Sequence, residues 1–373
     1  MQAQDLALQR DKYRHLSDAE WRWWLQQVDG RERTADKLPT FAAMDDWWYP
    51  VRLSCEQCSS EQAARYKFQI ITDTCPNGQC LDLTGGYGVD TFFLSKQFGH
   101  TDYVEQNADL CRIATHNFNL LKSTVSIHNT TAEEFLQIAG EYDLIYLDPA
   151  RRDSHGGKVF RLEDCTPNAV ELLPALIDHL TPEGRLLLKL SPILDLSQAV
   201  NSLSAVRWDI HVVAIKNEVK ELLLLSGGTG RITAIDLSEP GKAFVFTQEE
   251  ERNSSANLQL SAANYLYEPD AAILKAGAYK LAGERFGLRK LDVNTHLYVS
   301  EELVADFPGR VWQIAGHSKT KGLKQANVLV RNYPLTAEQL KKKLKLRDGG
   351  TTFVIGCRIQ GKPTLFVAER VLT

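Results

Sequence analysis

The sequence has no apolar run that approaches the roughly 18 residues a membrane-spanning helix needs. Its first residues lack the basic and apolar segments of a signal peptide. Positive charge is not in excess, because the 373 residues carry a formal net charge of −4. No chain-wide basic field therefore marks a nucleic-acid-binding protein. The seven cysteines are odd in number and show no disulfide framework, so we predict a cytoplasmic protein without membrane contact.

Four of the cysteines occur in two pairs, Cys55-x-x-Cys58 and the more widely spaced Cys75 and Cys80. This arrangement loosely resembles a zinc site. Because Cys80 opens a predicted buried strand and Cys58 lies near a predicted helix start, buried or free thiols are the favoured interpretation. We expect no metal.

The middle of the chain, 79–238, alternates short apolar strands with amphipathic helices. Strands are predicted at 80–83, 102–105, 125–128, 144–147 and 185–190, with helices at 90–98, 108–121, 132–139 and 169–180. Such alternation is typical of a Rossmann-like, doubly wound and mostly parallel sheet with helices on both faces. Two more strands, 210–215 and 221–226, are predicted to pair antiparallel at the sheet edge.

Different patterns flank this α/β region. Residues 1–78 read as helical, with a helix over 60–71 and a helical spacing of tryptophans. That spacing favours core packing over base stacking for Trp21, Trp23, Trp24, Trp47 and Trp48. Residues 239–373 open with a polar stretch at 248–256 and predict a small, ferredoxin-like α+β domain. Its predicted helices are 270–286 and 337–344, and its predicted strands are 311–314, 328–330, 352–359 and 364–370.

A glycine-rich turn follows the first predicted strand, in the run Leu-Asp-Leu-Thr-Gly-Gly-Tyr-Gly-Val-Asp at 81–90. In a doubly wound fold this turn lies at the carboxyl edge of the sheet, where ligands bind. Glycines let the backbone approach a ligand, and the following helix offers free N–H groups. The predicted cofactor-binding residues here are Asp82, Thr84, Gly85, Gly86, Gly88 and Asp90.

The acids Asp82 and Glu105 favour one of two candidate cofactors, a nicotinamide dinucleotide and S-adenosylmethionine. The Gly-Tyr-Gly at 86–88 begins the G-x-G-x-x-G fingerprint of nicotinamide enzymes, but Thr91 replaces its third glycine. Asp82 and Glu105 instead resemble the acids of Rossmann-like enzymes that bind S-adenosylmethionine (AdoMet), which meet the methionine amino group and the ribose hydroxyls. Glu105 ends the second predicted strand, 23 residues after Asp82, close to the ~20 expected for one strand–helix–strand step. We predict AdoMet and keep an NAD-dependent oxidoreductase as an alternative.

The turn after the third predicted strand offers Thr131 and Ala132 as contacts for the adenine of the cofactor. Thr131 is also followed three residues later by Glu134, which is the pattern of a helix capping box. The two roles are compatible, and both remain open.

The fourth predicted strand ends in Leu-Asp-Pro-Ala-Arg-Arg at 147–152. An acid followed by proline at this place resembles the catalytic face of nucleic-acid methyltransferases, because proline fixes the backbone direction. The predicted catalytic residues are Asp148, Pro149 and Arg151, with Asp148 accepting a hydrogen bond from a substrate N–H. Arg151 and Arg152 would clamp a phosphate or a guanine edge, or else form surface ion pairs.

Together with the run Cys-Ser-Ser-Glu-Gln-Ala-Ala-Arg-Tyr-Lys at 58–67, these motifs resemble a bacterial family of class I AdoMet-dependent methyltransferases. That family joins the methyltransferase core to a ferredoxin-like and THUMP-like C-terminal region. The resemblance covers nearly the whole chain and implies domains at 1–78, 79–238 and 239–373. Because THUMP domains bind RNA, it implies an RNA methyltransferase.

The chain departs from amino-methylating enzymes of this type beside the catalytic proline. Ala150 and Arg151 stand where those enzymes carry a second proline and a base-stacking aromatic, so stacking would fall to Tyr146 or to a tryptophan. No cysteine adjoins Pro149, which argues against covalent C5-pyrimidine chemistry. Lys189 ends the fifth predicted strand at the same rim, and a solvated strand end is its favoured interpretation.

Basic residues concentrate at 310–347, where ten of them accompany one acid and give a net charge of +9. A basic patch on an otherwise acidic chain is typical of phosphate binding, and a solvated helix face is the alternative. The predicted RNA-binding residues are Lys319, Lys321, Lys324, Arg331, Lys341, Lys342 and Lys343.

The sequence thus predicts methyl transfer from AdoMet to a nitrogen of a base in rRNA or tRNA. Two other functions stay open: a small-molecule or protein methyltransferase, and a non-catalytic RNA-binding factor that only senses AdoMet.

Overall fold

The computed structural model describes residues 10–74, 77–151, 161–239, 241–258, 263–317, 320 and 322–371. The chain divides into two compact units. The first comprises Met1–Trp208 with Leu223–Gly227, and the second comprises Asp209–Leu222 with Gly228–Thr373. The domain boundaries at 78 and 238 remain predictions.

Helices open the first unit, and a serine caps the start of each of the two longest. Ser17 accepts a hydrogen bond from the backbone N–H of Glu20, whose side chain returns to Ser17 in a capping box. Ser60 caps the predicted 60–71 helix in the same region. The four helices are α1 (Asp18–Thr34), α2 (Pro39–Ala42), α3 (Arg52–Gln57) and α4 (Glu61–Ile70).

Strands and helices then alternate as predicted. The elements are β1 (Gln79–Asp82), α5 (Val89–Leu94), β2 (His100–Val104), α6 (Ala108–Leu120), β3 (Val125–His128), α7 (Ala132–Leu136), β4 (Tyr142–Leu147), β5 (Ala150–Arg151), β6 (Cys165–Thr166), α8 (Ala169–Asp178), β7 (Leu180–Leu190) and α9 (Leu196–Ser202). Within the first unit the strand order is β7-β4-β1-β2-β3, and these pairs are parallel. The predicted Rossmann-like α/β fold is confirmed.

The strand order reverses direction between β1 and β4. The chain runs from β1 outward through β2 to β3 and then returns to place β4 on the other side of β1. Ligands bind outside the carboxyl ends of the strands at such a switch point. The ends of β1 and β4 carry the glycine turn and Asp148, so the fold brings the two principal motifs to one edge.

Aromatic side chains of the N-terminal helical region pack into the core of the first unit. The rings of Phe41 and Trp47 stack with centroids 4.3 Å apart, and the Trp47 indole N–H donates to the Tyr87 hydroxyl at 2.8 Å. Trp21 is also buried. Trp48 stacks on His116 with centroids 3.8 Å apart. Trp23 and Trp24 are half-buried against Trp48 and Trp21, respectively. The tryptophans serve packing, as their helical spacing predicts.

The next two strands, which the sequence prediction placed at a sheet edge, have residues in both units. β8 (Trp208–Ile215) and β9 (Glu218–Ser226) form a hairpin, since Lys216 and Asn217 between them both have positive φ. β10 (Arg231–Asp236) pairs in parallel with β8, and β11 (Phe244–Thr247) pairs antiparallel with β10. The edge position predicted for the hairpin is therefore wrong.

The rest of the second unit contains a seven-stranded sheet of order β13-β14-β12-β15-β18-β17-β16. Its strands are β12 (Tyr265–Pro269), β13 (Arg289–Asp292), β14 (Thr295–Ser300), β15 (Gly309–His317), β16 (Asn327–Val330), β17 (Thr352–Ile359) and β18 (Lys362–Val371). All neighbours pair antiparallel except β16 and β17. The helices are α10 (Gln248–Asn253), α11 (Ala271–Ala276), α12 (Leu281–Arg285) and α13 (Ala337–Leu344), and the predicted small α+β region is confirmed.

One expectation for this region needs correction, and one stretch without a predicted element is helical in part. The helix predicted over 270–286 is interrupted, because Gly277 takes a left-handed conformation with φ of 84° and ends α11. The polar stretch at 248–256 begins as α10, since Thr247 and Glu250 form a capping box.

The first prediction concerns Gly85, where the glycine turn approaches β2. A Cβ at this position would lie 2.0 Å from a ring carbon of Tyr103, which is fully buried. We expect Gly85→Ala to destabilise the protein by about 1–3 kcal/mol, the usual cost of overpacking. Gly140→Ala is the matched control, because nothing lies within 4 Å of its added Cβ. Denaturant unfolding of both variants tests this, and equal stability would show that the turn relaxes without cost.

Candidate functional site

A cavity of about 280 Å³ lies in the first unit at the carboxyl ends of the parallel strands. Its lining includes Asp148 and all nine predicted cofactor-binding residues. These nine are Asp82, Thr84, Gly85, Gly86, Gly88, Asp90, Glu105, Thr131 and Ala132. The adjacent Ala150 also lines it, but Pro149 does not. The backbone of Arg151 forms part of β5, and its side chain and all of Arg152 lie outside the described residues.

Asp82 ends β1 at the bottom of this cavity and is 1% exposed. One carboxylate oxygen accepts from the backbone N–H of Thr84 at 3.0 Å, and the other accepts from the hydroxyl of Thr91 at 2.6 Å. Burial raises the pKa of Asp82 to about 7, although these two hydrogen bonds act against the rise. A cation in the cavity would favour the ionised form.

The glycine turn takes its shape from close contacts with β2. The Tyr103 hydroxyl donates to the carbonyl of Gly86 at 2.6 Å. Gly86 and Gly88 have φ of 55° and 81°, in the left-handed region where glycine is favoured. An added Cβ on Gly86 would face open space, with the Thr84 carbonyl as its nearest neighbour at 3.8 Å. The turn thus presents bare backbone to the cavity.

Glu105 follows the last residue of β2 and is half-buried. Its carboxylate accepts from the backbone N–H of Gly86 at 3.0 Å and from that of Asn107 at 2.8 Å. The acid therefore connects the glycine turn to the loop that starts α6. It is placed where a carboxylate could also accept from ligand hydroxyls.

Thr131 has the two features that the sequence left open. It caps α7 through a capping box with Glu134, and it lines the cavity with Ala132. The capping role is confirmed, and contact with a cofactor stays a prediction.

Asp148 is joined to the glycine turn and to β7. Its backbone N–H donates to the Thr84 hydroxyl at 2.7 Å, and its carboxylate forms an ion pair with Lys189. The Lys189 side chain is 12% exposed and lines the cavity. The expectation that Lys189 is a solvated strand end is therefore wrong: an acid 41 residues away holds it.

Lys67 and Tyr146 contact Asp90, one of the lining residues. Sequence reasoning gave Lys67 no role and offered Tyr146 for base stacking, but the Tyr146 side chain is buried. Lys67 of α4 lies 3.0 Å from a carboxylate oxygen of Asp90. Tyr146 donates to the other carboxylate oxygen at 2.8 Å. The sequence signal for Lys67 was its place in the 58–67 run. There it follows apolar helix positions, and the sequence alone identifies no partner for its charge.

The cysteines do not form a metal-ligating group in the described part of the chain. Among those residues no cluster of three or more His, Cys, Asp or Glu side chains could hold a metal ion. Burial raises the pKa of Cys55 to about 12, and Cys80 is fully buried. Cys75 lies outside the described residues.

No helix in the described ranges is long and apolar enough to span a membrane.

The basic segment of the second unit is partly neutralised by acids. Arg331 pairs with Glu268, which is 2% exposed and also pairs with Arg310. Lys341 pairs with Glu338 at 3.1 Å and with Asp348 at 2.7 Å. The predicted roles of Arg331 and Lys341 in phosphate binding must therefore compete with these acids.

Other basic residues of the segment remain open to solvent. Lys342, Lys343 and Lys324 are exposed. Backbone hydrogen bonds place Lys324 beside the exposed Arg347, whose N–H donates to the Lys324 carbonyl at 3.0 Å. Lys319 and Lys321 lie outside the described residues.

Comparisons with known proteins agree with this architecture. Residues 59–162 match the family described as conserved hypothetical protein 95, residues 265–308 match a ferredoxin-like domain, and residues 304–370 match a THUMP domain-like family. A crystal structure from Porphyromonas gingivalis, provisionally described as a methyltransferase, is 34% identical with a TM-score of 0.82. The match covers 93% of this chain and 90% of that chain. No curated protein matches the chain.

Two more distant solved structures each match less than half of the chain. A Streptococcus mutans protein, provisionally described as a methyltransferase and solved with S-adenosylhomocysteine (AdoHcy), is 10% identical; the match covers 43% of this chain and 94% of that chain, with a TM-score of 0.34. A Clostridium thermocellum protein provisionally described as an rRNA methylase is 14% identical, with the same coverages and a TM-score of 0.35.

The fold of the first unit is that of class I methyltransferases. The chain belongs to the family of the P. gingivalis protein, in which this core is joined to ferredoxin-like and THUMP-like regions. The resemblance found in the sequence motifs is confirmed over nearly the whole chain.

The second prediction follows from the raised pKa of Asp82. Because its folded-state pKa exceeds the unfolded value, its contribution to stability is present below about pH 4 and is lost as pH rises through about 7. The free energy of unfolding of the wild type, relative to Asp82→Asn, should fall by up to about 1.4 kcal/mol per pH unit in this window. Denaturant unfolding at several pH values measures the difference. A difference that does not change with pH would contradict the prediction.

Proposed function

We propose that this protein is an AdoMet-dependent methyltransferase that acts on a nitrogen of a base in rRNA or tRNA. One observation carries the cofactor assignment. Asp82, the glycine turn, Glu105 and Asp148 line a single cavity at the switch point of a class I methyltransferase fold.

The residues present fit AdoMet. Asp82 is a buried acid whose carboxylate a cationic amino group would stabilise. The bare backbone at Gly86 leaves room for a ligand. Glu105 would accept from ribose hydroxyls, and a carboxylate there would repel the 2′-phosphate of NADP. Thr131 and Ala132 would contact the adenine.

When bound, AdoMet supplies a methyl group on a sulfonium centre, and transfer of that group is an in-line displacement. The protein has to align a nucleophile and exclude water. Asp148 is suited to orient a substrate N–H, because the Thr84 hydroxyl fixes its backbone and Lys189 holds its carboxylate. A neighbouring cation favours the ionised form of a carboxylate, which accepts hydrogen bonds.

RNA is proposed as substrate from the second unit. Residues 304–370 match a THUMP domain-like family, and they include the exposed lysines Lys324, Lys342 and Lys343. Exposed cations that are not paired with carboxylates bind phosphate by releasing counterions. The basic segment would supply affinity for RNA, and the residues around Asp148 would take part in methyl transfer.

The third prediction tests the cofactor. Calorimetry should show that the wild type binds AdoHcy and not NAD, and that Asp82→Ala lowers AdoHcy affinity at least tenfold because an acid facing the amino group is lost. Asp45→Ala, at an exposed position, is the control and should bind normally. Binding of NAD but not AdoHcy would favour the oxidoreductase alternative.

The wild type and a variant of Asp148 distinguish an enzyme from an AdoMet-sensing factor. Asp148→Ala should lose methyl transfer to RNA while it retains RNA affinity. A wild type that binds AdoHcy and RNA but shows no turnover on total rRNA and tRNA would favour the non-catalytic alternative. Nucleoside mass spectrometry of RNA from a deletion strain would identify the methylated base.

The fourth prediction tests the exposed lysines. Lys342→Gln with Lys343→Gln should weaken binding to all RNAs and flatten the log–log salt dependence by roughly 1.4, at about 0.7 per phosphate contact on single strands. Turnover should show a higher KM with kcat retained at saturating RNA. Lys341→Gln, which removes a lysine already paired with two acids, should change the slope less. A normal salt slope in the double variant would make these lysines a solvated helix face.

A further inference from the structure

The N-terminal helical region forms one wall of the cavity. Ser54 and Gln57 of α3, and Cys58 and Ser59 between α3 and α4, line it together with Asp90. None of the predicted site residues came from this region. The cavity is therefore not built by the Rossmann-like strands alone.

Lys67 of α4 lies behind this wall, and none of its side chain is exposed. Its ammonium group is 3.0 Å from a carboxylate oxygen of Asp90 and donates to the Ser59 hydroxyl at 3.1 Å. Burial of a charged group is costly unless an opposite charge accompanies it. The position of Lys67 therefore indicates that Asp90 is ionised.

The surroundings of Asp90 support the same conclusion. Its second carboxylate oxygen accepts from the Ser59 hydroxyl at 2.7 Å and from the Tyr146 hydroxyl at 2.8 Å. Burial alone would raise the pKa of Asp90, but the two lysines and these hydrogen bonds outweigh it, so the pKa is lowered. The charged and titratable groups that face it are Lys67 of α4, Lys189 of β7, Tyr146 of β4, Cys58 before α4 and Asp82 of β1.

We propose that Lys67 is a positioning residue of the cofactor site, which holds Asp90 as an ionised and oriented carboxylate at the cavity. Through this pair, the N-terminal helical region takes part in cofactor binding. The identity of the ligand rests on the proposed function. A carboxylate at the cavity favours a ligand with a cationic amino group, so the loss of Lys67 should make binding depend on the protonation of Asp90.

The experiment compares AdoHcy affinity by calorimetry between about pH 5.5 and 7 for wild type and Lys67→Met. In the wild type, burial raises the pKa of Asp82 at the cavity to about 7, so the logarithm of affinity should rise by about one per pH unit below that value. In Lys67→Met, Asp90 should titrate as well, and the slope should rise to about two. Adding Asp90→Asn to Lys67→Met should return the slope to about one, because the second titrating acid is gone.

A control on the same helix separates this effect from a general loss of charge. Arg65→Met removes a cation that pairs with Glu61 and is 53% exposed, and it should leave both the affinity and the slope unchanged. If wild type binds AdoHcy and Lys67→Met shows the same slope, this proposal is overturned while the proposed function stands. Failure of wild type to bind AdoHcy would overturn both.

Unfolding measurements keep the proposal testable if Lys67→Met folds poorly. Removing one member of a buried ion pair leaves an uncompensated charge, whereas removing both does not. The double variant Lys67→Met with Asp90→Asn should therefore melt at a higher temperature than either single variant, or fold where they do not. Additive losses of melting temperature, or a double variant that also fails to fold, would overturn the pairing.

Discussion

The burial of carboxylates at one sheet edge is the constraint on which the site depends. Asp82 and Asp90 are both removed from water, and the protein stabilises them in different ways. Burial raises the pKa of Asp82, and the hydrogen bonds from Thr84 and Thr91 do not offset the rise. Asp90 receives Lys67 and its pKa falls. Partners of these two acids come from the glycine turn (Thr84), α4 (Lys67) and β4 (Tyr146).

Local signals in the sequence were sufficient for much of the fold. The bounds of β3 and α13 agree with their predicted ranges, because alternating apolar residues mark β3 and a capping box marks α13. Gly277 was missed because a single glycine inside a helical pattern is often tolerated, and only its left-handed backbone shows that α11 ends there. The parallel pairing of β10 with β8 joins residues about 20 positions apart, and no local pattern encodes it.

The candidate site also contains residues that local sequence signals could predict and residues that they could not. The glycine turn and its acids could be predicted since they follow strand ends in a regular alternation. The roles of Lys67 and Lys189 could not, because each depends on an acid more than 20 residues distant. Lys341 shows the same limit at short range: Asp348, one of its two partners, follows the segment whose charge was counted. Charge counted along a chain overstates the field wherever tertiary contacts neutralise it.

The Thr84 hydroxyl has a consequence for how this site could change. It accepts from the backbone of Asp148, while the Thr84 N–H donates to Asp82. Thr84 therefore links Asp82, through its backbone, to Asp148, through its side chain. Serine would keep this link, whereas valine would keep the shape and break it. Attempts to evolve a new substrate preference by remodelling the loop after β4 should therefore keep Thr84 unchanged. Its hydroxyl accepts from the backbone N–H of Asp148, where that loop begins.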